Sequence, residues 1–218
     1  DRGGPMATVS KPKKNRATPA EKEPAAPSRP RSAHRVLHDV RTGNLHHFDN
    51  RRRDFAPYGF TCEIWEPRQM LRPDRHDEIE INFVDRGTLT YLIGGHRITI
   101  HPRQVTAFWA AVPHQIVGFD KVNYYYVVTV PVGWVLQWGL PEHLMTALTQ
   151  GQIVADRRSS RSLLDRQLFE QWHEDVEHGS STYRDVVVLD VRARLLRLAH
   201  AVLRHGNQAT ANIAAPIN

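Results

Sequence analysis

The chain has 218 residues, a formal net charge of +6 and a single cysteine, Cys62. That length suits one domain with a full core, and a lone cysteine excludes an internal disulfide or a thiolate-rich zinc site. No apolar run is long enough to cross a bilayer, and no signal-peptide pattern is present, so the expected compartment is a reducing cytoplasm. The surplus charge is localised: residues 1–35 hold nine Lys or Arg against three acids, and the remainder is balanced at 20 of each. A neutral folded unit lacks the electrostatic means to grip phosphates, which excludes direct DNA reading by that part.

In chain order, residues 1–33 carry Pro5, Pro12, Pro19, Pro24, Pro27 and Pro30 with no hydrophobic period. They read as a disordered, basic, solubilising tail. Residues 34–135 read as short strands: "FTCEIWE" (60–66), "EIEINFV" (78–84), "TLTYLI" (88–93), "HRITI" (96–100), "VTAFWA" (105–110) and "YYYVVTV" (124–130). Gly94-Gly95 marks a two-residue hairpin, and Arg86-Gly87, His101-Pro102 and Val112-Pro113 mark turns. Such spacing predicts an antiparallel sandwich or barrel. The segment "RRRD" (51–54) reads as loop surface.

Residues 136–206 change to helical periodicity. "LPEHLMTALTQG" turns Leu144, Met145 and Leu148 inward and stops at Gly151. "SLLDRQLFEQWHEDVEHG" opens with a capping box, Ser162 to Asp165, and repeats Leu164, Leu168, Trp172 and Val176. The last helix opens with a second box, Thr182 to Asp185. It carries Val188, Val191, Leu195, Leu198 and Val202 in a 3-4 alternation, flanked by Arg192, Arg194, Arg197 and Arg204. That row suits pairing with a second copy, a homodimer, or packing on the chain's own sheet. Residues 207–218 read as a linker.

One strand carries the chemistry. In "HDEIEINFVDRG", His76, Glu78, Glu80 and Asn82 share one face and Ile79, Ile81 and Phe83 the other. His76, Glu80 and Gly87 resemble the first motif of the cupins. Gly95, Pro102, Pro113 and His114 resemble the second, with Asp74 where that family has an earlier His and Arg103-Gln104 where it has Gly-Asp. A cupin followed by helices is similar to the effector-binding half of an AraC-type transcription regulator, over roughly residues 55–205. The resemblance implies a mainly β fold, a cupin barrel (double-stranded β-helix, or jelly-roll) followed by α-helices. It also implies an activator that dimerises, senses a small molecule and is not an enzyme. DNA contact is expected only through a helix-turn-helix domain beyond residue 218.

Two uses of this polar face follow. His76, Glu80 and His114 form a two-His-one-carboxylate set of the kind that binds iron, manganese or nickel, as a metal-dependent isomerase or dioxygenase would need. On a regular strand, however, His76 and Glu80 lie about 13 Å apart, at ~3.3 Å per residue, which is too far for one ion. The favoured expectation is therefore a sugar pocket with no metal or cofactor. Its candidate ligand-binding residues are His76, Glu80, Asn82, Trp109, His114 and Trp138, with Trp109 rather than Phe108 inward. Glu80 could instead be a structural acid paired with Arg97, and His114 a turn residue.

Overall fold

The computed structural model describes residues 45–157 and 159–205, with the pairs 3–4 and 210–211. The basic tail of residues 1–33, Gly3 and Gly4 apart, lies outside the described residues. Among the described residues there are nine strands and four α-helices: β1 (Thr61–Trp65), β2 (Glu78–Phe83), β3 (Thr88–Ile93), β4 (His96–Ile100), β5 (Val105–Trp109), β6 (His114–Asp120), β7 (Tyr125–Pro131), α1 (Val132–Gln137), α2 (Glu142–Thr149), β8 (Ile153–Asp156), α3 (Ser162–Glu177), α4 (Ser181–His205) and β9 (Thr210–Ala211). All pairings are antiparallel. They build a six-stranded sheet, β1-β7-β2-β5-β8-β9, and a three-stranded sheet, β4-β3-β6. Among the described residues the two sheets do not close into a hydrogen-bonded barrel. They share one core, in which Leu89, Tyr91 and Ile93 of β3 meet Phe108, Tyr125 and Val127 of the larger sheet.

Alternation in the sequence matches burial in β1, β3 and β4 and not in β2, β5 and β7. β1 and β3 alternate between buried and half-buried residues, whereas every residue of β2 is buried. β2 lies between β5 and β7, so both of its edges are paired, and each of its faces is covered by other elements. Its apolar side meets α3, where Phe83 stacks on Phe169 at 5.3 Å between ring centroids. Its polar side faces the smaller sheet across the core. A two-sided burial of this kind is normally reserved for apolar strands, so the polar residues here must satisfy one another.

Four elements lie outside those read from the sequence: α1, β6, β8 and β9. β6 is absent from the strands read from the sequence: its first residue follows Pro113 and Gly118 interrupts its pattern. The pairing of β3 with β6 slips between Thr90 and Tyr91, which leaves Val117 bulged. β8 returns the chain from the helical region to the edge of β5, and β9 adds two residues of the expected linker to β8.

Turn chemistry agrees with the sequence where glycine is needed. Gly94 and Gly95 both take positive φ, 54° and 85°, as a tight hairpin between β3 and β4 requires. At Gly87 a Cβ would fall 2.2 Å from Asp120 O, so no larger residue fits. Arg103 takes φ 61° at the position where the motif carries glycine. The turn keeps its shape and the Arg103 amide donates to Val84 O at 2.7 Å, at the cost of a left-handed non-glycine residue.

α2 buries Leu144 and Leu148 as the sequence suggests, whereas α3 packs by a different face. α3 has Arg161 as its N-cap with no side-chain cap bond, and its buried residues are Asp165, Phe169 and Trp172, with Leu164 exposed. Asp165 is turned away from its own helix terminus to Arg194, which is 2% exposed rather than a surface flank. Arg194 makes a two-pronged bond to Asp165, at 2.6 and 3.0 Å, and a third to Asp156 at 3.0 Å. This ties α4 to both α3 and β8. On α4, Val187, Val191, Leu195, Leu198 and Ala199 have no exposed surface within the single chain. Three of the five residues read as a pairing seam are thus spent on the chain's own core, and Val188 and Val202 are half-buried.

Candidate functional site

The polar face of β2 forms one continuous network. Glu78 accepts from the backbone amides of Tyr58 and Gly59, at 3.1 and 2.9 Å. Its other oxygen lies 2.8 Å from His76 Nδ1. His76 Nε2 lies 3.4 Å from Glu80 Oε2, and His114 Nε2 lies 3.6 Å from the same oxygen. Asn82 Nδ2 donates to Glu80 Oε1 at 2.9 Å. His76 and Glu80 converge because His76 is not on the strand: β2 begins at Glu78, and a bend at Asp77 turns His76 back over the face. The separation expected for a straight strand therefore does not apply.

Asp74 and His114 are brought together by a backbone bridge, with amide-to-carbonyl bonds of 2.8 and 3.0 Å. The Asp74 carboxylate accepts from Arg52 Nη1 at 3.2 Å and from the Tyr58 hydroxyl at 3.1 Å. The Arg52 guanidinium lies over the Tyr58 ring, 3.7 Å from its centroid, and also donates to Ala56 O. Arg52 is thus part of the site and not loop surface. His114 is 3% exposed and not a turn residue, and Arg97 is exposed on β4, away from Glu80.

Asp74, His76, Glu78, Glu80 and His114 are all buried, and the neighbours of the two imidazoles and two glutamates shift their titration. Burial acts to lower the His76 pKa, but hydrogen bonds to Glu78 and Glu80 outweigh it and raise it to about 9. Burial acts to raise both Glu78 and Glu80, and the contact with His76 holds each below the usual carboxylate range. His114 is lowered, first by burial and then by His76, against the pull of Glu80. A neutral His114 donates from Nδ1 to Val112 O, at 3.1 Å, and so turns a lone pair on Nε2 toward Glu80.

Asp74, His76, Glu80 and His114 form the floor of a cavity of about 30 Å³, walled by Tyr58, Tyr91, Ile116, Tyr125 and Thr129 and rimmed by Phe48, Trp65, Glu66 and Arg68. That is room for one or two water molecules. His76, Glu80 and His114 line it, as the sequence suggested. The other three do not. Register decides the first: Glu80 pairs with Phe108 and Ile79 with Trp109, so Phe108 shares the inner face and Trp109 points out to Asp77 Oδ1, at 3.1 Å. Trp138 ends α1 and is not part of the wall. Asn82 is fully buried behind Glu80, with its Oδ1 lacking a hydrogen-bond partner. Sequence reasoning missed Arg52, Tyr58, Tyr91 and Tyr125 as parts of the site. Only the Tyr-rich composition of the strands hinted at the last two.

No family model matches the chain. It is similar to two curated proteins, each called melibiose operon regulatory protein, from Escherichia coli strain K12 and from the O6:H1 strain CFT073. Each is 25% identical over 141 residues, which cover 63% of this chain and 45% of the relative. Among solved structures, the AraC-like transcriptional activator CuxR aligns over 72% of this chain and 51% of its own, with a TM-score of 0.36 and 13% identity; at that distance it adds nothing to the reading. Over those 141 residues the chain thus resembles regulatory proteins of the melibiose operon. It spans less than half the length of the curated relatives it matches. Among the described residues no helix is long and apolar enough to cross a membrane.

Proposed function

We propose that this chain is the effector-sensing and dimerising domain of an AraC-type regulator, a cupin-like sandwich whose cavity over β2 takes a sugar. The observation that carries the sensing role is the buried polar face itself. Burying three carboxylates and two imidazoles between sheets is costly, and a fold needing only stability has cheaper residues for those positions. Glu80 and His114 can accept and donate to hydroxyl groups, and Trp65, Tyr58 and Tyr125 supply aromatic faces for the C–H side of a pyranose. A pyranose is several times larger than the present void, so its entry displaces rim residues such as Phe48, Trp65 or Arg68. That displacement is the differential contact through which a regulator passes on occupancy.

Dimerisation falls to the outer face of α4. With the inner row buried, the helix still shows Val186, Leu189, Leu196 and Leu203, exposed by 44, 62, 40 and 64%. Leu189, Leu196 and Leu203 are seven residues apart, with Val186, Ala193 and His200 interleaved at the same interval, which is a heptad seam. DNA contact belongs to a separate helix-turn-helix domain on this reading.

Thermal melting of the chain against pentoses, hexoses and galactosides tests the sensing role. A bound sugar at 100 times its Kd stabilises by about 2.7 kcal/mol, a rise of roughly 5–10 °C for a body of this size. No shift with any saccharide at millimolar concentration removes the sugar from the reading.

A further inference from the structure

Donors and acceptors around the cavity are unevenly spent. Along its wall and rim, N–H and O–H groups already serve the protein. The Tyr58 hydroxyl donates to Asp74 at 3.1 Å, Trp65 Nε1 to Glu63 at 2.9 Å and Thr129 Oγ1 to Gly59 O at 2.7 Å. Acceptor capacity remains, because a carboxylate has about four lone-pair sites and no proton to give. Glu80 Oε1 accepts from Asn82 at 2.9 Å. The imidazole nitrogens facing Oε2 stand off at 3.4 and 3.6 Å, which is long for hydrogen bonds. We propose that this cavity recognises a primary ammonium group, presented to Glu80 on a short unbranched stem of an amino sugar. This deepens the sensor reading and rests on it for the sugar, while the ammonium can be tested alone.

Four features favour an ammonium over a hydroxyl. The first is donor count: an ammonium brings three donors and no lone pair, whereas a hydroxyl brings one donor and two lone pairs. Lone pairs turned toward carboxylates in a buried site go unsatisfied, at a cost. The second is pairing. Asp74 is met by Arg52 at 3.2 Å, Glu66 by Arg68 at 2.6 Å, and Glu78 by two backbone amides and by His76 at 2.8 Å. Glu80 is the carboxylate whose nearest nitrogens other than the Asn82 amide stand off, so it is left to a guest. The third is size, since an ammonium head is about as large as a water and the void has room for one or two. The fourth is the wall. Tyr58, Trp65, Tyr91 and Tyr125 line the void, and aromatic faces attract cations. Tyr58 already carries one, the Arg52 guanidinium, 3.7 Å from its ring centroid. The opposing account is that the two imidazoles supply all that Glu80 needs and the guest presents a hydroxyl. It predicts no gain when that hydroxyl becomes an ammonium.

The experiment titrates the chain in a calorimeter with D-glucose and D-galactose, their 6-amino-6-deoxy derivatives, the N-acetylated forms of those, and ethanolammonium. The expected result is one amino sugar per chain, bound at least tenfold more tightly than its parent hexose, as a charge-assisted bond outmatches a neutral one. Acetylation removes the ammonium and with it the preference. Glu80→Gln keeps the side-chain shape and should weaken the amino sugar at least tenfold more than the parent. Circular dichroism reports whether that variant folds, and the wild-type comparison decides the matter if it does not. A parent hexose that binds within tenfold of its amino derivative overturns the inference and leaves the sensor standing. A preference that survives acetylation or folded Glu80→Gln also overturns it, since the ammonium would then not be what Glu80 reads. Ethanolammonium that binds while no hexose or aminohexose does keeps the ammonium site and removes the sugar. Silence from every probe at millimolar concentration ends both.

Discussion

Leu195 and Leu196 are neighbours on α4 and have opposite duties in this account. Leu195 has no exposed surface, whereas Leu196 is 40% exposed on the proposed pairing row. Truncating Leu195 to alanine removes a buried side chain and leaves a cavity, which costs about 2–5 kcal/mol. At roughly 2–4 °C per kcal/mol for a body of this size, a 3 kcal/mol loss lowers the melting point by about 6–12 °C. Leu196→Glu leaves helix propensity intact and, at a dilution where the wild type is monomeric, changes stability by less than about 0.5 kcal/mol. Light scattering with size exclusion then reads assembly against the 25.0 kDa chain mass. Wild type and Leu195→Ala run at about twice that mass, and Leu196→Glu runs as a monomer. A Leu195→Ala protein that melts like wild type but is monomeric, beside a dimeric Leu196→Glu protein, would refute the division of the helix into an inner and an outer row.

Three other substitutions probe separate parts of the account. Arg194→Met leaves two buried carboxylates without their guanidinium and should cost about 3–5 kcal/mol in chemical denaturation, with part recovered by adding Asp165→Asn. An Arg194→Met protein as stable as wild type would mean that the triad is not what binds α4 to α3 and β8. Arg103→Gly relieves a left-handed residue and should raise stability by about 0.5–1 kcal/mol; a loss would show that the Arg103 side chain holds the turn. Phe108→Ala should cost about 3–5 kcal/mol, while Trp109→Ala, at a half-buried outer position, should cost much less. The reverse order in a urea titration would contradict the register of β2 with β5.

The polar face of β2 was legible because alternation assigns faces without any knowledge of the fold, and the motif spacing of His76, Glu80 and His114 survived into one cavity. What alternation cannot supply is parity between strands. Phe108 and Trp109 are equally good inward residues until the pairing of Glu80 with Phe108 chooses between them. Distances along an ideal strand misled for a related reason, since the bend at Asp77 brings His76 back toward Glu80. Arg52 reaches the site through long-range contacts that leave no local trace. On α4 the sequence holds two apolar rows, and nothing short of tertiary contact says which is spent on the core. β8 was hidden because four apolar-leaning residues between helical segments are too few to show a period.

The central claim is that the acid and imidazole side of β2 receives a small guest inside the protein. Titration calorimetry of the sugar panel against wild type, Glu80→Gln and Trp109→Phe tests it most directly. The account predicts one site per chain, weakened at least tenfold by Glu80→Gln and unchanged by Trp109→Phe. Binding that ignores Glu80→Gln, or no heat from any saccharide at millimolar concentration, would contradict it.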